Sequence, residues 1–67
     1  MNSEIGIILD LIKKGNFFDA KTKCLEIINE NNNNSEFFNI FAIILFQLKE
    51  YDESISKWEK AIELNAK

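Results

Sequence analysis

Apolar residues recur at helical spacing along this chain of 67 residues. Ile5, Ile8, Leu9 and Ile12 make one stripe, with Ser3 placed to cap the helix that carries it. Lys13, Lys14 and then Gly15 predict its stop, because cations favour a last turn and glycine accepts the left-handed backbone beyond it. Ala20, Cys24, Ile27 and Ile28 make a second stripe. Its helix can be capped by Asn16, with Asp19 as the acid of a capping box, and should run to about Glu30. The asparagines at 31–34 predict a loop. Asn34 or Ser35 then caps a third helix, with Glu36 in the first turn and Phe38, Phe41, Ala42 and Leu45 toward the core. That helix should stop near Leu48, and Tyr51 and Asp52 open a fourth with Ile55, Trp58, Ala61, Ile62 and Leu64 as its apolar face. There is no proline and only two glycines, so nothing interrupts these helices, and short turns make successive helices antiparallel neighbours.

The two halves match each other. Leu11 and Leu45, Phe17 and Tyr51, Asp19 and Glu53, Ala20 and Ser54, Lys23 and Lys57, and Ile28 and Ile62 are each 34 positions apart. A repeat of this length is one helical hairpin used twice, and arrays of such hairpins usually serve as binding surfaces. Residues 1–34 and 35–67 are accordingly two repeats of one structural unit. The expected fold is all-α: two stacked antiparallel helical hairpins, four helices in all. Lys49 occupies the place of Gly15, where a left-handed backbone would cost a non-glycine residue about 1 kcal/mol.

Composition narrows the function. Of the residues 46% are hydrophobic and six are Phe, in a chain too short to bury more than about 60% of its unfolded surface. The formal charge is −3 and the lysines are scattered, so nucleic acid is not an expected partner. Cys24 is the single cysteine and there is no histidine. That excludes an internal disulfide, a zinc ligand set and a Cys–His nucleophile, suits a reducing, cytoplasmic compartment, and leaves Cys24 as a small buried hydrophobe. No acid–base pair is visible, so neither an enzyme nor a cofactor is expected. The apolar run 37–48 is interrupted by Asn39 and Gln47 and falls short of the roughly 20 residues of a membrane span. The run 5–9 ends at Asp10 and has no basic segment before it, unlike a secretory signal.

The second half resembles a tetratricopeptide repeat. Phe38, Phe41, Ala42 and Leu45 stand at the bulky, apolar, small and apolar places of the family's first helix. Ser54, Trp58 and Ala61 fill the small, aromatic, small triplet of its second, while Ala66 replaces the usual closing proline. In the first half Gly15, Phe17, Ala20 and Cys24 fit, but Ile8 and Ile27 take places usually held by small residues. The small residues let helix axes approach closely, which makes Trp58 a core aromatic rather than a ligand site.

The resemblance implies a concave groove lined by the first helix of each repeat. Its residues here would be Asn2, Ile5, Leu9, Ile12 and Lys13, then Glu36, Asn39, Ile43, Phe46 and Gln47. Relatives that clasp chaperone carboxylates use lysine and asparagine where this chain has Ile5, Leu9 and Ile40, so that activity is not implied. An apolar groove suits a protein or peptide partner, an apolar segment or amphipathic helix held by side chains. Repeat stacks also need their ends covered. Part of the 55–64 face should lie open at the C-terminal end, to be covered by a second copy in a symmetric dimer or by more of a longer array.

Overall fold

The computed structural model describes residues 3–66 of the chain. Four α-helices follow one another, and no strand occurs among the described residues: α1 is Ser3–Lys13, α2 is Phe17–Ile27, α3 is Ser35–Gln47 and α4 is Tyr51–Asn65. A short 3-10 turn, Ile28–Asn31, extends α2. Asn2, assigned to the inner face, and the capping side chain of Ser3 lie outside what is described.

The α1–α2 and α3–α4 turns are the same device placed 34 residues apart. In the first, Gly15 N–H donates to the Ile12 carbonyl and Asn16 N–H to the Leu11 carbonyl, each at 2.9 Å. In the second, Lys49 N–H donates to the Phe46 carbonyl at 3.0 Å and Glu50 N–H to the Leu45 carbonyl at 2.9 Å. Both are Schellman closures, which require a left-handed residue just past the helix end. Gly15 has φ +78° and Lys49 has φ +65°. Asn16 and Glu50 then start the next helices through their own carbonyls, which accept from Ala20 and Ser54, each at 3.0 Å. The Asn16 side chain makes no cap bond, so the expected capping box does not form.

The asparagine run does two jobs. Asn31 Nδ2 donates to the Ile27 carbonyl at 2.9 Å, and Asn34 Oδ1 accepts from the Phe37 amide at 3.2 Å. Asn34 is therefore the cap of α3, and α2 as an α-helix ends at Ile27 rather than Glu30.

One core runs through all four helices: Ile5 and Ile8, then Ala20, Cys24 and Ile27, then six apolar residues of α3, then Ala61. The expected α3 residues Phe38, Phe41, Ala42 and Leu45 are all buried. So are Phe37, Ile40 and Ile44, which makes α3 the central helix, packed on α2 on one side and α4 on the other. The α3–α4 pair is the most extensively packed. Ala42 and Ser54 are fully buried there, and Ser54 Oγ donates to the Ala42 carbonyl at 2.8 Å. Such a bond is possible only when the two helices come within a short side chain of each other. At the places matching Ala42 and Ser54, α1 and α2 carry Ile8 and Ala20, and that pair is less extensively packed. The molecule measures 33 × 30 × 17 Å, a slab about two helices thick, so each helix keeps one side near solvent.

Candidate functional site

The helix register of α4 corrects one expectation. Its buried residues are Ser54 and Ala61. Ile55 is 53% exposed and Ile62 68%, so both point out of the core they were assigned to. Trp58 is partly buried, at the edge of the core rather than inside it. Tyr51, Ile55, Trp58 and Ile62 follow one another at i, i+4, i+7 and i+11, a single stripe along the outer side of α4.

Contacts to α3 show what lies beside this stripe. The Phe46 ring meets Tyr51 at 5.3 Å and Trp58 at 6.0 Å between centroids. Trp58 Nε1 donates to Asn39 Oδ1 at 2.9 Å, which gives the half-buried indole its polar partner. Further along, Ser35, Glu36 and Asn39 of α3 face Trp58, Ala61, Ile62 and Asn65 of α4 across an open cleft of about 350 Å³. The helices are therefore antiparallel, and together they present a continuous apolar and aromatic face: Asn39, Ile43 and Phe46 from α3, and Tyr51, Ile55, Trp58 and Ile62 from α4. Ile43 sits between Asn39 and Phe46 in the same register.

The charged residues of α3 and α4 that border this face are acidic, while Lys49 stands at its end in the turn between Phe46 and Tyr51. Next to the α4 stripe on its solvent side come Asp52, Glu59 and Glu63; beside the α3 row come Glu36 and Gln47. All five are exposed. The α4 lysines lie elsewhere on the helix: Lys57 reaches back over the Phe41 ring at 5.3 Å.

The groove residues expected from sequence divide. Ile5 is 9% exposed and belongs to the core, and Ile12 is partly buried and packs against that core. Leu9 and Lys13 on α1, and Asn39, Ile43, Phe46 and Gln47 on α3, are exposed. Of these, Asn39 and Phe46 are tied to α4 by the bonds and ring contacts above. Tyr51 was not assigned to any binding surface, and Ile55 and Ile62 only to the 55–64 face expected to lie partly open for a second copy or a longer array. Their signal was in the sequence, as a stripe offset from Ser54 and Ala61, but the apolar content of α4 does not say which stripe turns inward.

Cys24 is fully buried, and burial pushes its thiol up to about 12, which leaves almost no thiolate near neutral pH. Among the described residues no group of three or more His, Cys, Asp or Glu is placed to hold a metal ion. None of the described helices is long and apolar enough to cross a membrane. Comparison with protein-family models, curated proteins and solved structures finds no match to this chain.

Proposed function

We propose that this chain is a protein–protein interaction module of the tetratricopeptide-repeat kind, two stacked helical hairpins acting as a scaffold that holds an amphipathic helix or apolar peptide. The reading rests on one observation: the α3–α4 face leaves Phe46 47%, Tyr51 48%, Ile55 53% and Ile62 68% exposed side by side. Single exposed apolar residues are ordinary, but a contiguous apolar patch bordered by polar groups is the usual mark of an interaction site. The matching turns 34 residues apart support the repeat, and the tight Ala42–Ser54 approach supports its second hairpin.

The binding surface is thereby moved from the concave α1–α3 groove to the α3–α4 side. Asn39, Ile43 and Phe46 belong to both descriptions, whereas Leu9 and Lys13 belong only to the first. Trp58 is the single tryptophan and stands in the face, so its emission reports occupancy. Titration with amphipathic helical peptides should shift that emission, and Phe46→Glu should abolish the shift while leaving the helical circular dichroism intact. A peptide that binds Phe46→Glu as well as the parent protein would place the site elsewhere.

A further inference from the structure

The first hairpin holds a covered version of the open face. The residues 34 positions before Asn39, Phe46, Tyr51, Trp58 and Ile62 are Ile5, Ile12, Phe17, Cys24 and Ile28. Ile5 and Cys24 are buried, and the other three pack against the core, while Ile43 and Ile55 are matched by Leu9, which is exposed, and by the charged Lys21. Their cover is α3, whose Phe37, Ile40, Phe41 and Ile44 form an apolar ridge at i, i+3, i+4 and i+7 in the same cluster. A charge pair flanks this contact: Lys21 Nζ stands 2.7 Å from Glu50 Oε1. The chain thus shows what kind of element fits such a face, a helix with an apolar ridge and charges beside it.

A second copy does not supply that element. On α1 the positions matching Phe37, Ile40, Phe41 and Ile44 are Ser3, Gly6, Ile7 and Asp10; the last three are exposed, and Asp10 is paired with Lys14 at 3.1 Å. That ridge is mostly polar, so head-to-tail stacking would bury charge against the aromatic face. Face-to-face pairing would set two borders of Asp52, Glu59 and Glu63 against each other, and like charges brought together oppose association.

We infer that the α3–α4 face accepts a cationic amphipathic helix, its apolar ridge seated on Phe46 and Trp58 and its flanking lysines or arginines set against Asp52, Glu59 and Glu63. This rests on the docking reading above and adds the charge of the partner. Border charges act mainly on encounter and salt dependence, and each exposed pair adds a modest gain.

Two synthetic helical peptides with the same ridge of leucine and phenylalanine test it, one flanked by lysine and the other by glutamate. Read by Trp58 emission at low salt, the lysine peptide should bind about tenfold more tightly, and the gap should close near 1 M salt, where the screening length is about 3 Å. Glu59→Lys combined with Glu63→Lys, both exposed, should reverse the order. Equal binding of the two peptides at low salt would overturn the charge assignment while leaving a docking face in place. No binding of either would overturn the docking face itself. Sedimentation without peptide should give a monomer at the assay concentration; a dimer that the lysine peptide cannot displace would assign the face to a second copy.

Discussion

Raising the pH should weaken this fold through a single buried thiol. Cys24 is fully buried between α2 and the rest of the core, and burial lifts its thiol from the ordinary 9.0 to about 12. An unfolded chain gives up that proton near the ordinary value, whereas the folded chain keeps it. The stabilisation is therefore fully present below about pH 9 and is lost as pH climbs from 9 toward 12. At about pH 10, one unit above the unfolded value, the loss is about 1.4 kcal/mol. A chain of 67 residues has only about 3–10 kcal/mol of stability, so that loss is easily measured. Urea melts near pH 8 and near pH 10 should be run on the parent protein and on Cys24→Ala. The substitution should itself cost about 1 kcal/mol for the lost buried group, at both pH values. Every other group is common to the two proteins and cancels in the comparison. The parent should lose about 1.4 kcal/mol more than Cys24→Ala on going to the higher pH. Equal losses would mean that the thiol reaches solvent and that the packing of α2 against α3 has been misread.

Phe41→Ala removes a ring that is 1% exposed and 5.9 Å from Phe37; at about 3–5 kcal/mol it should abolish a cooperative melt. Phe18→Ser, at a ring 69% exposed, should change stability by less than about 0.5 kcal/mol, and a large loss would show that Phe18 has a partner. Gly15→Ala should cost about 1 kcal/mol by chemical denaturation, because φ is +78° and no neighbouring atom lies within 4 Å to add a clash. Lys49→Gly, at φ +65°, should stabilise by less than that amount, since glycine also widens the unfolded ensemble; a destabilised variant would show that the Lys49 side chain is needed.

Much of the local structure was legible in the residues. Helical apolar spacing with no proline marked four helices, Gly15 and Lys49 marked two equivalent stops, and the asparagine run marked the central loop with Asn34 as a cap. These depend on backbone preferences within a few residues, which neighbours in space rarely override. The inward set of α3 was legible in part, since Phe38, Phe41, Ala42 and Leu45 are on one side. That Phe37, Ile40 and Ile44 are buried as well follows from α3 being covered on two sides, which is a property of the assembly.

Which apolar residues of α3 and α4 lie open was decided only by tertiary structure. Helix α4 carries apolar residues around much of its circumference, and periodicity alone put Ile55 and Ile62 inward. The contact of Ser54 with the Ala42 carbonyl settles the matter: a close helix approach needs the smallest side chains at the crossing, so Ser54 and Ala61 turn in and the large residues turn out. The same rotation gathers Phe46, Tyr51 and Trp58 from two helices and lines Asp52, Glu59 and Glu63 along their border. Which side of a helix faces its neighbour is set by the shape of both partners at the crossing, and that shape exists only once the helices have packed.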